Sequence, residues 1–141
     1  MQKKLSVIIP CYNEEKSIQP LYERVLEALR PSGYDLEIIF VDNGSPDGSE
    51  QVFRDLASKD PRVKVILMSR NFGSPQPSYF AGLQYCSGDA AILIDGDLQD
   101  PPEVMPEFLK KWNEGYDVVY GIRKKRKASL LRQLLYKIFY R

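Results

Sequence analysis

The stretch AILIDGDLQDPPE, residues 91–103, runs from an aliphatic segment straight into three aspartates, Asp95, Asp97 and Asp100, then into two prolines and a glutamate. A short unbroken apolar run bounded by turn formers reads as a strand buried on both faces, as in a parallel sheet covered by helices. The acidic residues then stand where the chain leaves that strand. Carboxylates crowded together repel one another unless a cation sits between them.

The same alternation recurs along the chain. LSVIIP (5–10), LEIIFVD (36–42), VKVILM (63–68), AAILID (90–95) and DVVYG (117–121) read as five strands. Between them, SIQPLYERVLEALR (17–30), SEQVFRDLASK (49–59), roughly 78–86 and PEVMPEFLKKW (102–112) read as helices, with Pro20 tolerable in a first turn. The expected class is α/β, with a Rossmann-like, mostly parallel sheet and helices on both faces. No internal repeat or low-complexity linker interrupts it.

Composition sets bounds. A chain of 141 residues supports one domain with a real core, and 43% hydrophobic with 28% charged residues is ordinary for a globular protein. Cys11 and Cys86 lie far apart in apolar surroundings and read as reduced core residues; with no histidine, a zinc site lacks ligands. The apolar run after Lys3 and Lys4 is too short for a signal peptide, and no run approaches the ~18 apolar residues of a membrane span.

The net charge of +1 hides an asymmetry. Residues 123–141 carry eight Lys/Arg and no acid, which leaves 12 basic against 19 acidic residues in 1–122, a net of −7. Two units are therefore expected, an acidic core over 1–122 and a basic tail over 123–141. In the tail, leucines 130, 131, 134 and 135 with Ile138 and Phe139 form one apolar stripe at helical spacing. A basic amphipathic helix of that kind suits an anionic membrane surface; the plainer alternative is packing on the domain or on a second copy in a homo-oligomer.

In open parallel sheets, ligands bind outside the carboxyl ends of the strands. Three polar segments fall there: Pro10-Cys11-Tyr12-Asn13-Glu14, Asp42-Asn43-Gly44-Ser45 and Asp95-Gly96-Asp97-Leu98-Gln99. If the last segment stays extended, Asp95, Asp97 and Gln99 point one way, and their oxygens suit Mg²⁺ or Mn²⁺ together with a diphosphate. Asp100-Pro101-Pro102-Glu103 has capping-box spacing with proline at the first helical position. A strand-end carboxylate such as Asp42 can accept hydrogen bonds from a base or ribose. The plainer readings are an acidic helix cap and ordinary turns, but capping leaves Asp95 and Asp97 unexplained.

These segments resemble a known family. PCYNEE (10–15), VDNGSPDGS (41–49), SRNFG (69–73), AGLQYCSGDAAILIDGDLQDPPE (81–103) and VVYGIR (118–123) are similar, in order, to the motifs of inverting family 2 glycosyltransferases with the GT-A fold. The subgroup resembled is that of dolichyl-phosphate mannosyltransferases and bacterial polyprenyl-phosphate glycosyltransferases. The resemblance runs over roughly residues 5–141, and its most specific part is the DxDLQDPPE segment. It implies a nucleotide-diphosphate-sugar donor (UDP- or GDP-linked), a polyprenyl phosphate acceptor, a metal ion and work at the cytoplasmic face of a membrane. Carried over residue by residue, Pro10, Tyr12 and Glu14 match residues around the nucleotide, and Asp42 matches the one that holds base or ribose. Asp95 and Asp97 match the DxD pair, and Gln99 the glutamine beside it, at metal and diphosphate. Arg123 matches an arginine that meets the acceptor phosphate or the donor diphosphate. Asp97 and Arg123 are thus the catalytic candidates. Two departures stand out: Asn43 replaces a second aspartate, and NFGSPQPSYFAGL (71–83) carries two prolines and is one residue longer than the family's segment.

The chemistry is consistent without the family. A phosphate monoester, with a second pKa of roughly 6, is mostly dianionic at neutral pH and needs no general base, which suits a chain without histidine. The protein's work is then positioning and electrostatics. Two other classes compete: a transferase with a soluble or polysaccharide acceptor, and a non-catalytic nucleotide-binding module whose tail grips nucleic acid. The tail's apolar stripe and the lack of an aromatic stacking platform count against nucleic acid.

Overall fold

The computed structural model describes residues 2–122; Arg123 and the basic tail lie outside the described residues. Four strands, β1 (Lys4–Cys11), β2 (Asp35–Asp42), β3 (Val63–Leu67) and β4 (Ala90–Leu93), form one sheet in the order β3-β2-β1-β4, with every neighbouring pair parallel. Four helices connect and follow them: α1 (Ile18–Leu29), α2 (Ser49–Lys59), α3 (Gln76–Tyr85) and α4 (Met105–Asn113). The expected α/β class is the observed one.

Alternation along the strands explains why both faces are covered. In β1, Leu5, Val7, Ile9 and Cys11 point to one face, where they meet the buried stripe Ile18, Leu21, Val25 and Leu29 of α1. Phe53 and Leu56 of α2 and Met105 and Leu109 of α4 complete that core. Phe40 and Phe53 stack in a tilted pair with centroids 5.2 Å apart. On the opposite face, Ile8, Ile39 and Val41 pack beneath Tyr79 and Ala81 of α3. Gly82 lets α3 lie close, since a Cβ there would come 2.3 Å from Ile8 Cγ2.

Strand order fixes where a ligand can enter. The chain builds β1, moves outward to β2 and β3, then returns to place β4 on the other side of β1. The order reverses between β1 and β4, and a crevice at such a switch point opens at the carboxyl ends of the strands.

The fifth strand expected over 117–121 does not form. Residues 117–122 have no regular structure, and Val118 and Tyr120 are 79% and 76% exposed. The alternation Val118-Tyr120-Ile122 has strand character, but a strand exists only where a neighbour supplies hydrogen-bond partners, and none does so among the described residues. The segment instead lines, with β4 and α4, a cavity of about 890 Å³.

Helix α4 also begins differently from expectation. A 3-10 turn over Pro102–Val104 precedes it, with proline at its start as the sequence implied. The N-cap is Pro101 rather than Asp100, and Glu103 does not supply its half of the expected box: it turns to α1 and takes a bidentate pair from Arg24 at 2.8 Å. A charge-assisted fork outcompetes a bond to a single backbone N–H.

Candidate nucleotide and metal site

Two loops that follow β1 and β2 are stitched together by side chains. Ser45 Oγ accepts from the Asn13 N–H at 3.0 Å, Ser49 Oγ from the Glu14 N–H at 3.2 Å, and Asp47 Oδ2 from the Glu15 N–H at 3.2 Å. These bonds satisfy backbone donors at the start of the α1 segment, where no helical partner exists. Asn13 takes a left-handed conformation (φ 57°) to present them. Burial pushes the Asp47 carboxyl up, but the bonds from Ser49 and the Glu15 backbone outweigh it and hold the group below its ordinary value. Ser45, Asp47 and Ser49 thus organise the site; the sequence signal for them was only that of a turn.

Asp42 ends β2 and is 4% exposed. Both of its oxygens accept from the Ser45 N–H, at 3.1 and 3.3 Å, and the Ser45 hydroxyl donates to Oδ1 as well. Across β1, the end of β4 remains paired past its last regular residue: Ile94 N–H donates to Ile8 O and Gly96 N–H to Pro10 O, both at 3.2 Å. Gly96 is pressed against β1 so closely that a Cβ would sit 2.7 Å from Cys11 Sγ. Asp95 is therefore fixed beside the Pro10–Cys11 end of β1.

Cys11 records the charge gathered there. Burial pushes its thiol well up, and the carboxylates of Glu14, Asp42, Asp95 and Asp47 push it further. The thiol stays protonated and buried, a packing group rather than a nucleophile. Tyr79 reports the other side of the cluster. Its hydroxyl donates to Asp95 Oδ1 at 2.7 Å, and burial, this bond, and the charges of Asp95, Asp100 and Asp97 all raise its pKa.

The expected residues thus fall into two groups. Pro10, Glu14, Asp42 and Asp95 meet at the ends of β1, β2 and β4, with Tyr12 exposed beside them. Asp97 and Gln99 lie further out and are exposed. The extended alternation expected for Asp95, Asp97 and Gln99 gives way to a turn: Leu98 is left-handed (φ 61°), and Asp97 Oδ1 accepts from the Gln99 N–H at 3.0 Å. That Asx turn directs the chain back toward the 3-10 turn at Pro102. Arg123 lies outside the described residues.

Among the described residues no three Asp, Glu, His or Cys side chains form a closed metal cage. Among the same residues, none of the ion pairs involves Asp42, Asp95 or Asp97. One or two carboxylates with open positions, uncompensated by any lysine or arginine, fit Mg²⁺ or Mn²⁺, which keep waters and take phosphate oxygens as further ligands.

Comparisons with known proteins agree with this architecture. The family described as glycosyl transferase family 2 matches residues 6–139. An undecaprenyl-phosphate 4-deoxy-4-formamido-L-arabinose transferase of Pectobacterium atrosepticum is 45% identical over 134 residues, 94% of this chain and 40% of its own. A bactoprenol glucosyl transferase of Shigella phage SfV is 43% identical over 126 residues, 89% of this chain and 41% of its own. The chain thus spans about two fifths of the length of these relatives. Among solved structures, a mannosyltransferase from Pyrobaculum calidifontis in complex with GDP-Man and Mn²⁺ superposes with a TM-score of 0.63 at 23% identity, over 79% of this chain and 32% of its own. TarS of S. aureus in complex with UDP does so with a TM-score of 0.61 at 24% identity, over 86% of this chain and 40% of its own. The fold is that of the GT-A glycosyltransferases, and the chain belongs to glycosyl transferase family 2.

Proposed function

We propose that the chain is the donor-binding part of an inverting glycosyltransferase that passes a sugar from a nucleoside-diphosphate-sugar to a polyprenyl phosphate. The observation that carries this reading is the meeting of Asp42, Asp95 and Glu14 at the switch point, none of them in an ion pair among the described residues. Asp42 lies at the nucleoside end. Asp95 and Asp97 would hold a divalent ion, with Gln99 beside them. The ion, when bound, supplies charge stabilisation to the departing diphosphate. The chain's own residues then do the positioning. Asp42 and the stitched loops over 12–16 and 43–49 hold the nucleoside, Asp95 stands fixed beside Cys11, and Arg123 holds the acceptor phosphate opposite the leaving group.

Relatives named for bactoprenol and undecaprenyl phosphate support the acceptor class. No helix among the described residues is long and apolar enough to cross a membrane. Residues 123–141, whose eight basic residues attract anionic head groups, are assigned contact with the cytoplasmic membrane surface.

The test is a thermal-shift screen of UDP and GDP with and without Mn²⁺, followed by transfer assays with undecaprenyl phosphate on the full-length enzyme. Ligand at 100 times its Kd raises stability by about 2.7 kcal/mol. A melting temperature indifferent to both nucleotides, with and without metal, would sink the reading.

A further inference from the structure

Asn43 follows Asp42 and is 5% exposed. Its side-chain amide makes three hydrogen bonds, all to the segment between β3 and α3. Oδ1 accepts from the Phe72 N–H at 3.2 Å; Nδ2 donates to Asn71 Oδ1 at 3.2 Å and to the Ser74 carbonyl at 3.3 Å. The amide's orientation is dictated by its partners. Asn71 Oδ1 already accepts from the Gly73 N–H at 2.6 Å, so that atom is an oxygen and requires a donor opposite it. The Ser74 carbonyl requires a donor too, and the Phe72 N–H requires an acceptor.

A second contact secures the same segment. Gly44 is left-handed (φ 72°), and a Cβ on it would come 2.6 Å from the Arg70 carbonyl carbon and 2.8 Å from the Asn71 nitrogen. The segment then enters α3, whose Tyr79 bonds Asp95. It therefore hangs between the two acidic strand ends, fastened to one by Asn43 and to the other by Tyr79.

An aspartate has the shape of asparagine and could still accept from Phe72. It has no donor, and when ionised it would face the oxygens of Asn71 and Ser74. A part-buried carbonyl left without its donor, with an anion against it, is destabilising. Two departures noted in the sequence, the asparagine at 43 and the longer segment with Pro75 and Pro77, are thereby one structural unit.

We infer that Asn43 is a positioning residue: its amide donor latches residues 71–74 beside Asp42 and so sets one wall of the nucleotide end of the site. The functional half of this inference rests on the reading under Proposed function.

Asn43→Asp and Asn43→Ala decide it, with two readouts on the 141-residue chain: amide hydrogen exchange at Phe72 and Gly73, and the Kd for UDP and GDP with Mn²⁺. The expected result is exchange at these amides at least tenfold faster, and nucleoside diphosphate binding at least tenfold weaker, in Asn43→Asp. The aspartate, although isosteric, should be no better than alanine. Asn43→Asp retaining native protection and affinity would overturn the latch. A loosened segment with unchanged affinity would overturn its role at the site. A wild-type chain that binds neither nucleotide refutes the proposed function and that role together, while exchange at Phe72 still decides the latch.

Discussion

The Tyr79 hydroxyl donates a 2.7 Å hydrogen bond to Asp95 Oδ1, joining α3 on one face of the sheet to the carboxylate at the end of β4. Burial, then the bond to Asp95 and the charges of Asp95, Asp100 and Asp97, raise the phenol's pKa, so it remains a donor throughout the physiological range. One oxygen of Asp95 is thereby occupied and oriented, which leaves the other for a cation. Removing only the hydroxyl, in Tyr79→Phe, should weaken Mn²⁺-dependent stabilisation by nucleoside diphosphate roughly tenfold, the scale of one hydrogen bond to a charged group. The melting temperature without ligand should change little. Full metal affinity in this variant, measured by calorimetry, would show that Asp95 needs no such orientation.

Asp97 is exposed and its Oδ1 is engaged only by the Gln99 backbone N–H, so an amide in its place should not disturb the fold. Asp97→Asn should retain the melting temperature of the free protein and lose the Mn²⁺ dependence of nucleotide binding. The comparison to make is the UDP or GDP titration with Mn²⁺ against one with EDTA. A difference as large as in the wild type would remove Asp97 from the metal assignment.

Asp42 poses a subtler problem, because its carboxylate also holds the Ser45 turn. Alanine would confound the two roles. Asp42→Asn keeps an acceptor for the Ser45 N–H and should leave the turn largely intact. It should still weaken binding of the free nucleoside together with its diphosphate, by about 1–3 kcal/mol if the carboxylate bonds base or ribose directly. Loss of diphosphate binding alone, with nucleoside binding unchanged, would place Asp42 at the phosphates instead.

Most of the sheet was legible because its strands are buried on both faces. LEIIFVD and LSVIIP have no reading other than interior strands, and β1 and β2 extend each of them by only a residue or so. The segment 117–121 misled for the converse reason: its Val-Tyr-Ile alternation is local, but pairing is not, and no partner strand reaches it among the described residues. Asp95, Asp97 and Gln99 were found by composition, whereas their geometry turned on Leu98 adopting φ 61°, which an L-residue other than asparagine rarely signals in advance. Glu103 left its expected capping role because Arg24, 79 positions away in sequence, was invisible to a local pattern. Asn43 was legible only as a departure; its partners came from the folded loop.

Far from the site, Glu37 sits inside β2 with its side chain 2% exposed, bonded by Ser6, Ser87 and Lys64 and paired with Lys4 at 3.4 Å. Burial pushes its carboxyl up, but the bonds from Lys64, Ser6 and Ser87 outweigh that and hold it well below the ordinary 4.5. The bonds from Arg62 do the same for Asp60, whose ordinary value is 3.8. An unfolded chain takes up protons on both groups near those ordinary values, while the folded chain resists. Their contribution to stability is thus complete above about pH 5 and declines as pH falls through 4 and below. Glu37→Gln should destabilise the protein by about 2 kcal/mol at pH 7, the scale of a broken pair whose partners are half-exposed, and by less at pH 3. Equal destabilisation at the two pH values, from denaturant melts, would mean that Glu37 acts through packing alone.

The tail is where the acidic body would meet the lipid. Residues 123–141 combine eight basic residues with the stripe of leucines 130, 131, 134 and 135, Ile138 and Phe139, so a helix there has one side that gains from burial and one that gains from anions. Each basic residue near an anionic surface contributes about 1 kcal/mol, while repulsion of the body's net charge of −7 is screened beyond a Debye length of roughly 8 Å. Deleting residues 126–141 should therefore abolish sedimentation with phosphatidylglycerol vesicles and leave UDP or GDP affinity nearly intact, since Asp42 and Asp95 are held by the sheet, at the end of β2 and just past β4. Raising the salt should release the intact chain only partly, because the apolar stripe is not screened. In the full-length enzyme, Arg123→Ala should reduce turnover with polyprenyl phosphate more than it weakens donor binding. A truncated chain that still sediments with vesicles would assign the membrane contact to the folded core and leave the tail as packing.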